Sequence, residues 1–286
     1  MALSADPETF RADLDPASLL RWRSVVERHW SGTDALLYAL GVGAGQQDPA
    51  AELRFTTENS AGHPQAVLPT FAALFAADPP PLGDPAAVRH AEQSLRLHRE
   101  LPVAGTARTT ATVTAVHDQG SGALVRVVSR IRDGQGRPLA TATAGFFVIG
   151  AGGFGGDRAP APVRTVPVTA PDHEIHYPVP RDQALLYRLS GDRNPLHSDP
   201  RVAERAGLPQ PLLHGLCTYG YAGRALLHAV PADPARLRGI DARFTAPVYP
   251  GTTLTVRIWR RSLGAVFQVV DDTGRVVLDR GMAWLR

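Results

Sequence analysis

The chain has 286 residues, of which 44% are hydrophobic and 20% are charged, a balance that is ordinary for globular proteins and excludes wholesale disorder. Its formal net charge of +3 comes from scattered arginines, with no lysine and no basic run interleaved with aromatic residues, so we expect no nucleic-acid partner. Apolar stretches such as Phe146–Ile149 are too short to cross a bilayer.

The cysteine content and the two termini bear on location. Cys217 is the single cysteine, which excludes an internal disulfide and fits a reducing compartment. Met1–Asp6 contains neither the basic nor the apolar region of a secretory signal. Trp284–Arg286 does not match a peroxisomal signal of the Ser-Lys-Leu type. We therefore expect a cytoplasmic protein.

The first element in chain order is a helix whose sequence recurs later. Ala35–Gly41 returns as Ala184–Ser190, with an offset of 149 residues. Each copy follows a short segment that contains an aspartate, Ser31–Asp34 and Pro180–Asp182, and such a segment is typical of a helix N-cap. The second helix is therefore expected over Asp182–Leu189, and the repeat predicts two halves built on one plan.

Each half then continues with a meander of strands. Alternating segments rich in Thr, Val and Ile, with Gly and Asp at the turns, predict antiparallel strands. These segments are Thr109–Val116, Leu124–Arg132 and Leu139–Ile149 in the first half, and Leu254–Arg260, Ala265–Asp271 and Val276–Leu285 in the second. A further helix is expected at about Leu216–Leu227. The predicted fold class is α+β, with an antiparallel sheet wrapped around a helix.

A segment rich in Gly, Pro and Ala separates the halves. Gly150–Gly155 formally matches the G-x-G-x-x-G pattern of dinucleotide-binding proteins. That pattern needs a helix directly after the glycines, and Asp157–Pro162 cannot begin one. We therefore interpret 151–172 as a linker between an N-terminal domain, 1–150, and a catalytic C-terminal domain, 173–286.

The densest group of chemically active residues follows the repeated helix. Asp192, Asn194 and His197 lie within six residues of one another, among turn-forming Gly and Pro residues. A tight turn can therefore bring them together. A carboxylate and an imidazole can share general acid–base work near neutral pH, and a carboxamide beside them can orient a water.

A glycine lies at the expected start of the next helix, in the pair His214-Gly215. The N-terminus of a helix offers unpaired backbone N–H groups and the positive end of its dipole. These groups can stabilise negative charge that develops on a thioester oxygen. Together with the acid–base group, this arrangement suits the addition of water to an α,β-unsaturated thioester.

The segment Asp192–His197 with His214-Gly215 resembles the hydratase 2 motif of the MaoC-like dehydratase family. The whole chain is similar to the double hot-dog, type 2 enoyl-CoA hydratases. This resemblance implies a double hot-dog fold and the reversible hydration of trans-2-enoyl-CoA to (3R)-3-hydroxyacyl-CoA. It further implies coenzyme A as part of the substrate, no other cofactor, no metal, and a homodimer.

The resemblance also implies roles for individual residues. Asp192 and His197 correspond to the catalytic pair that activates one water and returns a proton to the α-carbon, which gives syn hydration. Asn194 corresponds to the residue that helps to hold this water, and the backbone N–H of Gly215 to the oxyanion donor. Substrate contacts are expected at Tyr187 and His214, and coenzyme A contacts at His90, Glu92 and Gln93.

The repeat predicts that the first half lacks this chemistry. The offset of 149 places Gly43, Gly45 and Asp48 where the second half has Asp192, Asn194 and His197. We therefore expect one active site per chain. In the family, the first half makes room for long or bulky acyl chains.

Other interpretations of these residues are open. The chain is alternatively a dehydratase acting on acyl carrier protein substrates, or a non-catalytic subunit that binds acyl thioesters. His197 and Asp199 resemble metal ligands, but no further ligand lies at a recognisable spacing. Cys217 beside His214 suggests a thiol nucleophile, although a small buried residue on the helix is the simpler interpretation.

Overall fold

The structure, a computed structural model, describes residues 14–160, 166–229 and 234–285. Met1–Asp6, part of the linker and Arg286 lie outside the described residues. The strands are β1 (Arg23–Trp30), β2 (Val88–Leu97), β3 (Gly105–Asp118), β4 (Gly122–Asp133), β5 (Pro138–Ile149), β6 (His173–Pro178), β7 (Leu237–Phe244), β8 (Thr253–Arg261), β9 (Gly264–Val270) and β10 (Val276–Leu285). The α-helices are α1 (Pro16–Arg21), α2 (Gly32–Gly41), α3 (Leu53–Thr56), α4 (Gln183–Tyr187), α5 (Pro200–Arg205) and α6 (Gly215–Ala229).

The strands form one antiparallel sheet in the order β1-β3-β4-β5-β2-β7-β10-β9-β8-β6. From its outer edge to the centre of the sheet, the first half contributes β1, β3, β4, β5 and β2, and the second half contributes β6, β8, β9, β10 and β7. Each half thus contributes its first, third, fourth, fifth and second strand in that order. The two half-sheets meet where β2 pairs with β7, for example Leu95 with Ile240. The halves therefore share one topology, and the predicted α+β double hot-dog fold is confirmed.

The six predicted strands are all present, and most extend one to four residues beyond the predicted ends. β10 begins and ends at the predicted residues, Val276 and Leu285, whereas β9 ends at Val270 rather than Asp271. Asp271 instead closes the turn to β10, because its Oδ1 accepts the backbone N–H groups of Thr273 and Arg275. Asp133 serves the same purpose in the first half, where its Oδ1 accepts the N–H groups of Gln135 and Arg137.

The central helix differs between the halves. In the second half, α6 is buried along nearly its whole length and contacts β6, β7, β8 and β10. In the first half the corresponding segment, Pro69–Phe75, is a single run of 3-10 helix. It cannot continue as an α-helix because Pro79-Pro80-Pro81 follows closely. Among the described residues, no helix is long and apolar enough to cross a membrane.

The start of the repeated helix also differs between its two copies. Ser31 caps α2, and its side chain exchanges hydrogen bonds with Asp34 in a capping box. Asp182 occupies the N-cap position of α4, but its side chain makes no capping bond, so the predicted cap is wrong in this respect. The helix predicted over Asp182–Leu189 is an α-helix as far as Tyr187 and then a 3-10 turn, Arg188–Ser190.

The glycine-rich segment between the halves is a loop. The carboxylate of Asp118 accepts the backbone N–H groups of Gly153 and Gly155 at 2.9 and 2.8 Å. No helix begins between Gly155 and Pro160, the last described residue before the gap. These glycines therefore bind a carboxylate of the chain itself rather than a pyrophosphate.

A buried ion pair joins the two halves. Nε of Arg224, in α6, lies 3.0 Å from Oε1 of Glu52, which precedes α3. Both side chains are almost fully buried. Nε2 of His228 lies 3.0 Å from the same carboxylate oxygen, and Nη1 of Arg224 donates to the carbonyl of Val42. These hydrogen bonds and the ion pair thus connect the central helix of the second half to the loop that follows α2 in the first half.

Candidate active site

The loop after α4 presents the three residues identified from the sequence. Gly191 turns the chain with a φ of 131°, a backbone conformation that other residues rarely adopt. The carboxylate of Asp192 accepts the backbone N–H of Asn194 at 3.1 Å. Asn194 then caps the 3-10 turn Pro195–His197, because its Oδ1 accepts the N–H of Leu196 at 3.0 Å. The carboxamide NH₂ of Asn194, which is exposed, is left to donate to a bound molecule.

A hydrogen bond determines which nitrogen of His197 is basic. Nδ1 lies 2.9 Å from the carbonyl oxygen of Leu212, which can only accept, so Nδ1 carries the proton. The unprotonated Nε2 then faces Asp192, with its Oδ2 at 4.0 Å. Burial lowers the pKa of His197 below its ordinary 6.5, although Leu212 and Asp192 oppose this shift. At neutral pH, His197 is therefore a neutral base beside a carboxylate that is half exposed.

His214 packs directly on this imidazole. The rings of His197 and His214 are stacked with centroids 3.7 Å apart. Nε2 of His214 donates to the backbone carbonyl of Asp192 at 3.2 Å, and the ring of Tyr187 lies 4.8 Å from that of His214. Burial and the neighbouring His197 hold the pKa of His214 well below its ordinary value. His214 and Tyr187 are thus close to the acid–base pair. The hydrogen bond from His214 to Asp192 joins the residue before α6 to the loop that carries the pair.

The next residue begins the central helix. Gly215 is the first residue of α6, and the carbonyl of His214 accepts the N–H groups of Cys217 and Thr218. The N–H of Gly215 has no acceptor within its own helix, because it lies in the first turn. A Cβ on Gly215 would lie 3.1 Å from the ring of Phe244, so a side chain there would press against that ring. An N–H group without an acceptor in its own helix therefore lies one residue after His214, the imidazole of which is stacked on His197.

The three residues predicted from the first half lie in different environments. His90 packs between the rings of Phe146 and Phe244, with centroids 5.1 and 4.9 Å away. Glu92 forms an ion pair with Arg126, with Oε2 and Nη2 3.1 Å apart. Gln93 is buried, and its side chain donates to the carbonyl of Ser94. His90 thus lies beside the start of α6, while contacts of all three residues with coenzyme A remain a prediction.

Asp192, His197 and His214 also offer one potential metal-ligating atom each within 4.8 Å of one another. The rings of the two histidines are nearly parallel, with an interplanar angle of 24°. Their in-plane lone pairs therefore point along adjacent planes, whereas the ligands of a zinc ion converge on one point. This arrangement favours hydrogen bonding to a small polar molecule over metal ligation.

In the corresponding loop of the first half, a neighbouring side chain fills the space and the polar groups bond within the chain. A Cβ on Gly43 would lie 2.4 Å from the ring of Tyr221, which occupies that space. The N–H of Gly45 donates to Glu52 at 3.0 Å, and Asp48 accepts the N–H of Ala50 at 2.9 Å. Each group is thus used in local structure. This supports the prediction of one active site per chain.

A cavity of about 220 Å³ is lined by residues of the first half together with Leu189 and Ser190 of the second. Ser190, two residues before Asp192, is part of its wall. Its wall combines apolar side chains with the polar residues Arg28, His29 and Asp34, and the apolar ones are Trp30, Leu37, Phe71, Leu74, Phe75 and Leu189. A partly apolar cavity therefore lies next to the residues that precede Asp192.

Sequence reasoning missed several contacts around this site. The Leu212 carbonyl that orients His197 is fifteen residues away along the chain. The stacking of His214 on His197 and the position of Phe244 over Gly215 were also not foreseen. Phe244 ends β7 and carries no motif, so only the packed structure reveals it. Cys217 is buried in α6, as the simpler interpretation expected.

Comparisons with known proteins match both halves. The profile of the MaoC like domain matches residues 162–282, and that of the MFE-2 hydratase 2 N-terminal domain matches residues 29–150. The chain is 46% identical to 3-hydroxyacyl-thioester dehydratase Y of Mycobacterium tuberculosis, covering 94% of this chain and 97% of that protein. It is 40% identical to the enoyl-CoA hydratase ChsH3 of the same organism, covering 87% and 90%.

A solved structure agrees with the sequence comparisons. The crystal structure of a MaoC-like dehydratase from Phytophthora capsici superimposes with a TM-score of 0.85 at 31% identity. The match covers 96% of this chain and 98% of that one. The agreement therefore extends over both halves, including the first half, which lacks the acid–base residues.

Proposed function

The chain belongs to the MaoC-like dehydratase family, with a first half of the MFE-2 hydratase 2 type, and from this we propose that it hydrates trans-2-enoyl-CoA reversibly to (3R)-3-hydroxyacyl-CoA. The observation that carries the proposal is the pairing of a neutral His197 with the Asp192 carboxylate, together with the start of α6 at Gly215, directly after the His214 that stacks on His197. Relatives that cover nearly the whole chain are named for this chemistry.

Asp192 and His197 are the proposed acid–base pair. The carboxylate and Nε2 both accept hydrogen bonds, so one water can donate a hydrogen bond to each. When its oxygen attacks the β-carbon, one O–H bond breaks and a C–O bond forms. The released proton passes to the pair and then to the α-carbon, on the face of the substrate that met the water. Both new bonds form on one face, which gives syn addition.

Asn194 and Gly215 complete the proposed site. The carboxamide NH₂ of Asn194 donates to the oxygen of the water, because its Oδ1 is already used to cap the 3-10 turn. The N–H of Gly215, with the dipole of α6 behind it, stabilises the enolate oxygen that develops on the thioester. Removing one such donor typically costs about 10²–10³ in rate.

The partly apolar cavity beside Ser190 is the proposed compartment for the acyl chain. Its wall includes Leu189 and Ser190, just before Asp192, and we place there the part of the acyl chain beyond the reacting carbons. Apolar surface of a substrate is stabilised there by about 0.8 kcal/mol for each buried CH₂ group. We therefore propose that the enzyme accepts acyl chains longer than crotonyl.

The proposal includes a homodimer, a cytoplasmic location and catalysis without a metal or any cofactor beyond the coenzyme A of the substrate. Family resemblance supports the dimer, and the single cysteine fits a reducing compartment. Sedimentation at several protein concentrations tests the dimer. Full activity after exhaustive chelation tests metal independence, and loss of activity that zinc restores would contradict it.

The central experiment follows the absorbance of the conjugated enoyl thioester with crotonyl-CoA and with a longer trans-2-enoyl-CoA. The product is coupled to a dehydrogenase specific for the R alcohol. We expect the absorbance to fall and the coupled reaction to run. Formation of the S product would refute the stereochemistry of the proposal.

The two alternatives remain as outcomes of this assay. Activity on an enoyl group attached to acyl carrier protein, with none on either coenzyme A ester, would identify a carrier-protein dehydratase. Binding of enoyl-CoA without conversion of either kind of substrate would identify a non-catalytic binding subunit.

A further inference from the structure

His90 belongs to the half without acid–base residues, yet its ring lies between aromatic rings of both halves. Phe146, in β5 of the first half, is stacked on it with centroids 5.1 Å apart and an interplanar angle of 26°. Phe244, at the end of β7 in the second half, lies on it at 4.9 Å. His90 therefore connects the two half-sheets beside the seam between β2 and β7.

The backbone directs this side chain. The pairing of β2 with β5 shifts register between His90 and Glu92, which marks a β-bulge. Bulges next to active sites commonly redirect a side chain. Nε2 of His90 lies 3.1 Å from the carbonyl of Glu92, so this nitrogen donates and the ring is held in one orientation.

His90 is poorly suited to bind a phosphate of coenzyme A. Burial lowers the pKa of His90 from 6.5 to about 4, despite the opposing effects of its hydrogen bonds and of Asp192. The ring is therefore uncharged at neutral pH. Its ring packs against Phe146 and Phe244, and its Nε2 is already bonded to the carbonyl of Glu92.

The second neighbour of His90 reaches the start of α6. Three atoms of the Phe244 ring lie 3.1, 3.2 and 3.4 Å from the position that a Cβ on Gly215 would occupy. The ring of Phe244 thus lies close to the backbone of Gly215 and also contacts His90. A displacement of this ring would change the space around the first N–H of α6.

We propose that His90 is a positioning residue of the second half's active site, which holds Phe244 against Gly215 and thereby fixes the oxyanion donor. The inference rests on the proposed function, because Gly215 is the oxyanion donor only in that reaction. The first half then supports catalysis without contributing an acid or a base.

The test compares His90→Ala, which removes the ring, with His90→Phe, which keeps an aromatic ring in the same place. A misplaced donor costs up to about 10²-fold in rate, so we expect kcat of His90→Ala to fall by about 10- to 100-fold. KM should stay within about twofold, because uniform binding is not lost. His90→Phe should recover most of kcat. His98→Ala is the matched control, since His98 follows β2 and is exposed.

Two further measurements separate positioning from general structural damage. Phe244→Leu should lower kcat in the same way, and combining it with His90→Ala should cost less than the sum of the two, since both act through one contact. The amide resonance of Gly215 should move in His90→Ala and return in His90→Phe, whether or not substrate is present.

The outcomes are distinct. A raised KM with unchanged kcat would make His90 a coenzyme A contact and overturn the inference. An unchanged kcat together with an unmoved Gly215 resonance would also overturn it. Wild-type protein and His98→Ala that fail to hydrate any enoyl-CoA would refute the proposed function itself, and a moved Gly215 resonance would still establish the contact.

Discussion

Nε2 of His197 lies 4.0 Å from Oδ2 of Asp192, a separation too long for a direct hydrogen bond between them. Both atoms are acceptors when the histidine is neutral, so they do not bond to each other. A single water can lie within hydrogen-bonding distance of both. The geometry thus suits two groups that act on one molecule of water.

Removing either member of this pair should abolish turnover. We expect Asp192→Asn and His197→Gln each to lower kcat by at least about 10²–10⁴, the usual contribution of general acid–base catalysis. Circular dichroism should show an unchanged fold, because neither substitution alters side-chain size much. Asp199→Asn is the control, since asparagine also caps α5 as Asp199 does. A near-normal rate in either active-site variant would disprove the mechanism.

The pH profile should reflect a neutral His197. Its folded pKa is lowered below 6.5, so the base stays unprotonated as pH falls through that value. We expect kcat/KM to be level near pH 7 and its acidic limb to have a midpoint below 6.5. A midpoint at or above the ordinary value would contradict the buried, uncharged imidazole.

The loss of folding stability in acid sets the lowest pH at which kcat/KM can be measured. The pKa of His90 is lowered to about 4, so the folded state binds a proton less readily than the unfolded chain. Folding stability is therefore lost as pH falls below the ordinary histidine value of 6.5. Circular dichroism at each pH will separate loss of fold from loss of the catalytic base.

Filling the cavity beside Ser190 should change the preference for acyl length. Leu189 lines the cavity and is 44% exposed, so tryptophan can replace it without disturbing the core. We expect Leu189→Trp to lower kcat/KM for a long enoyl-CoA by about tenfold or more, the effect of a few excluded methylene groups. Activity on crotonyl-CoA should change little. Leu185→Trp is the control, because Leu185 is 53% exposed and does not line the cavity. An equal loss with both substrates would rule out this compartment.

The ion pair between the halves should contribute strongly to stability. Glu52→Gln leaves the buried Arg224 without its charge partner, and such a loss typically costs about 3–5 kcal/mol. Urea unfolding of this variant and of Arg224→Met measures the cost. Glu174→Gln is the control, because its ion pair with Arg257 is exposed. A loss of unfolding free energy below about 1 kcal/mol would mean that the pair of Glu52 and Arg224 contributes no more than a surface ion pair.

The same pair predicts an acid-sensitive contribution. Burial raises the pKa of Glu52, but hydrogen bonds from His228 and Arg224 lower it overall from 4.5 to about 2. A carboxyl with a lowered folded pKa stabilises the fold above its unfolded pKa. This stabilisation is lost as pH falls from 4.5 towards about 2. The stability difference between wild type and Glu52→Gln should therefore shrink over that range.

The meanders were predictable because their strands alternate clearly and end at Gly and Asp turns. The four strands β1, β2, β6 and β7 were not predicted. In β2, alternation is visible only near Leu95 and Leu97, and the buried Gln93 interrupts it. In β7, Gly239 and Asp241 interrupt the apolar pattern. Both strands are paired on each side within the sheet, so tertiary pairing decides their structure more than local preference.

The candidate site likewise combines residues that share one short sequence segment with contacts that depend on tertiary packing. The motif brought Asp192, Asn194 and His197 together because they lie on one short loop. His214 was singled out as a neighbour of Gly215, but its stacking on His197 depends on how α6 is placed relative to that loop. The tautomer of His197 depends on the carbonyl of Leu212, and a carbonyl has no signature in the sequence.

The seam between β2 and β7 joins two half-sheets of a single polypeptide. Association of the halves is therefore intramolecular, and dilution does not weaken it as it weakens the pairing of separate subunits. In a symmetric pair of identical subunits, every substitution occurs twice, once on each side of the axis. In this chain a substitution occurs once, so the first half can dispense with an acid and a base while the second half retains them.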